Sequence, residues 1–283
     1  MGIRVGGLGL WLEAGSGAPL CLPDCHQLFR TEEPAGGDLT LPIQAGPLLS
    51  TEGWRPLFYD AATWQLWQEP GGRFVFVAPR ESLPGRQAFV DQDFQDGYLL
   101  RESGPVRAHA LNRYPLQDLD GMIYANWLAR TGDLRMHAAG IDDGGVGYAF
   151  VGPSGAGKST LADCLVSTGT VKPLGEDSVI LRRAPNGFLL YGTPWHTNPE
   201  RCSPGGVPLR KVFLLDRTAS PGVRPCAAKV AIPYLLQNSY VPYYNEEGVG
   251  LILGNLGLLA ERVPFFTLSF RIGADVLSQI RRA

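Results

Sequence analysis

The chain has 283 residues, of which 45% are hydrophobic and 18% are charged, and this composition excludes a disordered or fibrous protein. The length is sufficient for two compact domains or for one large one. The 25 basic and 27 acidic residues give a formal net charge of -2, so there is no excess positive charge to attract a nucleic acid, and no nucleic-acid partner is expected.

The five cysteines are an odd number and lack the paired spacing of a disulfide framework, which indicates reduced thiols and a cytoplasmic protein. Cys21, Cys25 and His26 lie close together and could begin a zinc site, but no second pair follows, so chance proximity in a loop is the favoured interpretation. The N-terminal segment lacks the continuous apolar region of a secretory signal, and no apolar run is long enough to span a membrane. No association with a membrane is expected.

Residues 1–117 contain short apolar or alternating runs separated by glycine and proline clusters, which is the pattern of a β-rich N-terminal domain. Four of the six tryptophans lie here, and they are interpreted as core residues of the sheet rather than as a substrate-docking surface. Apolar residues at helical spacing then predict one connecting helix at residues 118–131, before a second domain at residues 132–283. The strands predicted in the first domain are residues 8–12, 39–43, 63–67, 73–77 and 97–100.

Two apolar runs, residues 136–141 and 146–151, flank the turn-forming cluster Asp142-Asp143-Gly144-Gly145 and predict a β-hairpin. If Ile141 pairs with Val146, then His137 pairs with Phe150. A helix is predicted to follow at residues 161–166 and to end near Gly169. A second hairpin is predicted at residues 179–181 and 188–190, around Pro185-Asn186-Gly187.

A glycine-rich segment between the first hairpin and the following helix fits the phosphate-loop pattern G-x-x-x-x-G-K-[ST] in full. Its residues are Gly152-Pro153-Ser154-Gly155-Ala156-Gly157-Lys158-Ser159-Thr160. The backbone N–H groups of such a loop surround phosphate oxygens, and the following helix adds its positive N-terminal end. Lys158 is expected to reach the β and γ phosphates, Ser159 to bind Mg²⁺, and Thr160 to support the turn. The motif therefore predicts binding of a nucleoside triphosphate, with a coincidental glycine-rich turn as the alternative.

Glu176 and Asp177 follow the loop by about one helix and one strand, where an acidic pair could face the nucleotide. One acid could bind Mg²⁺ and the other could take the proton from an incoming hydroxyl; the alternative is a solvated pair at a strand end. His137 could share a proton with these acids or could simply be a satisfied histidine at a sheet edge. His196 could line the acceptor side or be an ordinary loop residue.

Arg210 and Lys211 are two further candidates, because either could neutralise the charge of a transferring phosphate. Both could equally be surface charges. The sequence pattern leaves both interpretations open.

Taken together, three segments in this order resemble the catalytic domain of the HPr serine kinase family: Met136-His137-Ala138-Ala139-Gly140, the phosphate loop, and Gly175-Glu176-Asp177. The resemblance covers about residues 132–283. It implies an α/β fold, in which a P-loop kinase domain of the HPr kinase and phosphoenolpyruvate carboxykinase type follows the β-rich domain. It also implies that His137, Glu176 and Asp177 serve Mg²⁺ binding and proton transfer, with Lys158 stabilising the phosphate and ATP as the donor.

The chain departs from the family in two places that concern the acceptor. The family usually has two aspartates where this chain has Glu176-Asp177, and the glycine-rich segment that engages the protein partner is replaced by Ser203-Pro204-Gly205-Gly206. The whole chain looks like the HPr-kinase-related proteins of biosynthetic clusters. HPr is therefore not the expected acceptor. The expected acceptor is a hydroxyl group of a peptide, another protein or a small molecule. The resembling family forms multimers, which makes a homo-oligomer an expectation.

Other phosphate-loop proteins fit the sequence less well. A transporter ATPase needs a Leu-Ser-Gly-Gly-Gln-like element and an apolar run ending in Asp-Glu, and neither follows the loop in this sequence. Guanylate kinases carry the loop near the N-terminus, whereas roughly half of this chain precedes it. The sequence therefore predicts an ATP- and Mg²⁺-dependent kinase. The alternative is a nucleotide-binding regulatory module without phosphoryl transfer.

Overall fold

The computed structural model describes residues 1–14, 20–59, 64–78, 85–102, 114–196, 198–217, 220–271 and 275–283. The chain divides into two compact units, Met1–Trp127 and Leu128–Ala283, and together they form a mixed α/β structure with two large sheets. Within the described residues, none of the helices is both long and apolar enough to cross a membrane.

The first unit is built on one large sheet. Its strands, in the part of the unit that is described, follow the order β3-β1-β2-β4-β9-β8-β7-β6-β5. The bounds are β1 (Gly2–Val5), β2 (Leu8–Glu13), β3 (Arg30–Thr31), β4 (Leu39–Ala45), β5 (Arg55–Tyr59), β6 (Gln65–Gln68), β7 (Phe74–Ala78), β8 (Arg86–Val90) and β9 (Gly97–Arg101), with helices α1 (Asp24–Gln27) and α2 (Asp120–Ala129). These elements confirm the predicted strands and the helix after them, except that Thr63 lies outside the described residues.

Aromatic side chains contribute to the core of this unit, as predicted. Trp11 is 8% exposed, and Trp54 and Trp67 pack against a buried cluster that contains Val75 and Phe89. Each large apolar side chain that leaves water in this way contributes about 1.5–3 kcal/mol to folding. The tryptophans thus stabilise the sheet.

The second unit is built on the other large sheet, against which helices pack. Its path is β10-β14-β15-β16-β12-β11-β13, and β18 pairs with both β16 and β17. The strands are β10 (Leu134–Met136), β11 (Ala138–Asp142), β12 (Gly147–Val151), β13 (Lys172–Gly175), β14 (Val179–Ala184), β15 (Gly187–Tyr191), β16 (Gly206–Leu215), β17 (Gly222–Pro225) and β18 (Phe265–Ser269). The helices are α3 (Lys158–Val166), α4 (Ala228–Gln237), α5 (Glu246–Arg262) and α6 (Val276–Arg282).

The central strands of this unit bury both faces, because alternate residues point to opposite sides of a strand. On β12, Tyr148 and Phe150 enter the cluster that contains α3 and α6 side chains, whereas Ala149 and Val151 enter the cluster that contains α4 and α5 side chains. Phe150 stacks on Phe213 of β16 with ring centroids 5.4 Å apart. The strand that leads into the phosphate loop is therefore fixed from both sides.

The first hairpin forms, but its predicted register is wrong. Ile141 pairs with Tyr148 instead of Val146, and Phe150 pairs with Ala139 instead of His137. The reason is the turn: the Asp143 N–H bonds to the Val146 carbonyl, so residues 143–146 form the turn and leave the ladder. The second hairpin is confirmed, with β14 and β15 joined through Pro185 and Asn186.

His137 lies at a break between two strands that the sequence shows as one run. β10 pairs with β14, whereas β11 pairs with β12 and β13. The backbone N–H of His137 donates to the Asn238 carbonyl at 2.8 Å, which fixes the residue between the strands. The side chain therefore emerges at the edge where β12 ends.

Candidate functional site

The phosphate loop lies in a cavity of about 540 Å³ at the carboxyl end of β12. The parallel neighbour β16 and, beyond it, β18 end at the same edge. Ligands of open α/β sheets bind at this edge. The described lining residues are His137, Ser154, Gly155, Ala156, Gly157, Lys158, Ser159, Thr160, Asp177, Asp216, Arg217, Leu268 and Phe270.

Two glycines give the loop its shape. Gly155 and Gly157 have φ angles of 78° and 96°, a left-handed backbone conformation that residues other than glycine rarely adopt. Gly157 is the N-cap of α3 and provides no side-chain cap, so the first N–H groups of the helix are available to a ligand. This end of the helix also carries partial positive charge and therefore favours phosphate oxygens.

Lys158 is the cation of the loop. Its Nζ donates to the carbonyls of Gly152 at 2.8 Å and Pro153 at 3.1 Å, and the residue is 6% exposed. Burial lowers the pKa of Lys158, and the Asp177 carboxylate partly opposes this shift. The ammonium is thus held across the base of the loop, within the cavity that a triphosphate would occupy.

Asp177 and His137 lie close together on the wall of the cavity. His137 Nε2 lies 3.6 Å from Asp177 Oδ1, too far for a hydrogen bond, and has no hydrogen-bond partner among the described residues. Burial lowers the pKa of His137, the Lys158 charge lowers it further, and Asp177 opposes both. The lowered pKa favours the neutral form of the imidazole. The Asp177 side chain is 61% exposed and can meet an incoming molecule.

Glu176 forms an ion pair with Arg201, so it has a different partner from Asp177. Its Oε2 accepts from Arg201 Nη1 at 2.6 Å, and Arg201 Nη2 lies 2.8 Å from Asp163 Oδ1 on α3. Glu176 is not among the described residues that line the cavity. The neighbouring acids of the sequence thus face different partners, and only Asp177 faces the loop.

Arg135 stabilises the turn that carries Asp177. Its Nε donates to Ser178 Oγ at 3.0 Å, and its guanidinium carbon lies 4.2 Å from the ring centroid of Trp195 and 4.0 Å from that of Tyr240. A guanidinium between two aromatic faces is held by cation–π attraction. The sequence analysis did not identify Arg135 or its two aromatic neighbours, because they are remote from Ser178 along the chain.

His196 lies beside the same turn but is not among the described side chains that line the cavity. A Cβ placed on Gly175 would come within 3.0 Å of its Nε2, so the ring packs directly on the backbone of that glycine. Burial lowers the pKa of His196 to about 4, although Asp177 and a backbone hydrogen bond with Ser178 act to raise it. Of the two interpretations of His196, an ordinary loop residue and a residue on the acceptor side, this packing favours the first.

Asp216, Arg217 and Phe270 line the cavity, and the sequence analysis missed all three. A signal was present for Asp216, because an apolar run, residues 212–215, ends directly before this acid at the end of β16. Arg217 Nη1 donates to the Gly155 carbonyl at 2.8 Å.

The basic pair that the sequence suggested in this region lies elsewhere. Arg210 is exposed and is not among the described lining residues. Lys211 Nζ donates to the Ile280 and Arg281 carbonyls at the end of α6, which is a structural role. Neither residue is placed to neutralise a transferring phosphate.

The donor set of the cavity suits a hard cation. Ser159, Asp177 and Asp216 provide a hydroxyl and two carboxylates, and Mg²⁺ prefers oxygen ligands, completing its shell with phosphates and water. Among the residues that the structure describes, no group of three His, Cys, Asp or Glu side chains forms a metal site by itself.

The chain is similar to a solved structure, the Hpr(Ser) kinase/phosphatase from Coxiella burnetii, with a TM-score of 0.30 and 13% sequence identity. The match covers 52% of this chain and 88% of that chain. The similarity is distant. No protein-family model matches the chain, and no curated protein does. The function proposed below therefore rests on the residues of the cavity.

Proposed function

We propose that the chain is a kinase that uses ATP and Mg²⁺ to phosphorylate a hydroxyl group of a peptide, a protein or a small molecule. One observation carries the proposal: an exposed carboxylate, Asp177, and an imidazole, His137, lie 3.6 Å apart on the wall of the cavity that also contains the phosphate loop. A phosphate loop alone serves many functions. A base beside it, open to an incoming molecule, favours transfer to an acceptor.

Lys158 and the N-terminus of α3 would hold the phosphates. The ammonium can exchange its two carbonyl partners for phosphate oxygens, because these are stronger, charge-assisted acceptors. Ser159 and Asp216 would hold a magnesium ion, which would supply positive charge to neutralise the phosphates, and this leaves Asp177 free to accept a proton. The N–H groups and Lys158 thereby position the γ-phosphate at the side of the loop where Asp177 lies.

Asp177 would act as the base, and His137 would remain neutral beside it. The acceptor oxygen bonds to the γ-phosphorus, the bond from that phosphorus to the β–γ bridging oxygen breaks, ADP leaves, and Asp177 takes the hydroxyl proton. Glu176 is less suited to this step, because its carboxylate is bound to Arg201. Its proposed role is to orient the turn, in place of the metal or proton role expected from the sequence.

The cytoplasm and a homo-oligomeric state remain part of this proposal and follow from cysteine usage and from the family resemblance. No step above requires a second subunit. The acceptor is identified only by its chemistry, a hydroxyl that can approach Asp177.

The direct test is incubation of the purified chain with Mg²⁺ and γ-labelled ATP in the presence of peptide, protein and small-molecule hydroxyl acceptors. Label in an acceptor, lost in Lys158→Ala and in Asp177→Asn, supports the kinase. Asp177→Asn should still bind ATP, because the phosphate loop is intact. Binding of ATP by the unmodified chain without transfer to any acceptor would instead support a nucleotide-binding regulatory module.

A further inference from the structure

Two cavity residues have no role in the proposed phosphoryl transfer. Arg217 follows Asp216 after the end of β16, and Phe270 follows the last residue of β18. Because β12, β16 and β18 run parallel as neighbours, the residues after their carboxyl ends meet at one edge. A cationic and an aromatic side chain thus lie together beside the phosphate loop.

The contacts of these side chains place them against neighbouring residues of the loop. The Phe270 ring lies 3.4 Å from the position that a Cβ on Gly157 would take, so the ring stands directly against the start of α3. The Arg217 guanidinium donates to the Gly155 carbonyl at 2.8 Å. The buried side chain of Leu268 provides apolar surface in the same cavity.

This pair lies on one flank of the loop together with Asp216, and the proposed base Asp177 lies with His137 on the other. Asp177 lies in the turn after β13 and His137 lies directly before β11, and both strands are on one side of β12. Arg217 and Phe270 follow β16 and β18, which lie on the other side of β12. A triphosphate with its γ-phosphate near Asp177 therefore directs its nucleoside toward Arg217 and Phe270.

We propose that Phe270 and Arg217 form a stacking subsite for the nucleobase of the bound triphosphate. This proposal rests on the proposed function, because it takes the triphosphate to lie on the loop. Aromatic side chains stack on the flat faces of bases, and a guanidinium adds cation–π and planar stacking contacts. Purines should bind more tightly than pyrimidines, because their stacked area is larger.

The test compares two ligands that differ in having a base. Calorimetric titration with ATP and with inorganic tripolyphosphate, both with Mg²⁺, would be performed on the unmodified chain and on Phe270→Ala. Loss of one base-stacking contact should weaken ATP binding by about tenfold and leave tripolyphosphate binding unchanged. Phe270→Tyr should restore ATP binding. Tyr243→Ala is the matched control, because Tyr243 is 69% exposed and is not among the described cavity residues.

Arg217→Ala should likewise weaken ATP binding more than tripolyphosphate binding, whereas Arg210→Ala, at an exposed position of the preceding strand β16, should change neither. Phe270→Leu preserves apolar packing and removes the aromatic face, so it replaces Phe270→Ala if that variant unfolds. An equal loss of both ligands in the Phe270 variants, or no loss of ATP, would overturn the subsite and leave the proposed kinase standing. Failure of the unmodified chain to bind either ligand would overturn the proposed function itself.

Discussion

Asp177→Asn and Glu176→Gln, made as a matched pair, test which of two neighbouring acids takes the proton. A general base contributes about 10²–10⁴-fold to a rate, so kcat of Asp177→Asn should fall by about that factor. The Asp177 side chain is 61% exposed and makes no hydrogen bond to His137, so folding should change by less than about 0.5 kcal/mol. ATP affinity should be retained, because Lys158 and the loop are unchanged.

Glu176→Gln should have the opposite pattern. The lost charge pairs with Arg201, and the two side chains are 16% and 35% exposed, so the pair contributes at most about 1 kcal/mol to folding. Arg201 also retains Asp163, which limits the loss. We expect kcat to stay within about tenfold of the unmodified chain, because Glu176 does not touch the reacting proton. Arg201→Met should reproduce this behaviour.

Rapid-quench measurement of labelled phosphate transfer gives kcat, calorimetric titration gives the ATP affinity, and urea unfolding gives stability. The reasoning would be refuted if Glu176→Gln lost as much kcat as Asp177→Asn while ATP affinity and stability stayed the same. Glu176 would then reach the proton during turnover despite its bond to Arg201.

Three other predictions concern stability and binding. Folding lowers the pKa of His196 to about 4, so below pH 6.5 the unfolded chain binds more protons than the folded chain. The free energy of unfolding should therefore fall by about 3 kcal/mol as the pH is lowered from 7 to 4. In urea titrations at several pH values, His196→Gln should reduce this dependence on pH. Gly157→Ala, at φ 96°, should cost about 1–2 kcal/mol, and calorimetry should show weaker ATP binding. Lys211→Met should lower stability by about 1–3 kcal/mol in urea, because two carbonyls of α6 lose their donor, with ATP affinity unchanged.

Local patterns predicted local structure well. The phosphate loop, the strand before it and the helix after it follow from residues that are adjacent in the chain, because glycines, apolar alternation and helix starts act over a few positions. The same is true of the hairpin at Pro185 and Asn186. The first hairpin shows the limit: Gly144 and Gly145 both have positive φ, so the turn takes four residues and shifts the register.

The environment of each site residue depends on contacts that the sequence does not contain. Glu176 and Asp177 are adjacent and chemically alike, yet Arg201 engages only the first. The sequence left His196 open between the acceptor side and an ordinary loop position, and only the packing of its ring against Gly175 favours the second. Asp216 could have been found from the apolar run before it. Phe270 carried no such signal, since its place beside Gly157 depends on the pairing of β18 with β16.

The sheet also explains how the proposed base and the proposed nucleobase subsite can lie on different flanks of the loop. Strand β12 carries the phosphate loop between β11 and β16, so groups from β11 and β13 approach one side while groups from β16 and β18 approach the other. Asp177 and Phe270 both line the cavity, but in the two proposals they would contact different parts of a bound nucleotide. Their substitutions should therefore act additively, one on kcat and the other on ATP affinity, because distant sites without shared partners combine independently. Strong coupling between the two would mean that the loop moves as one element when the base is bound.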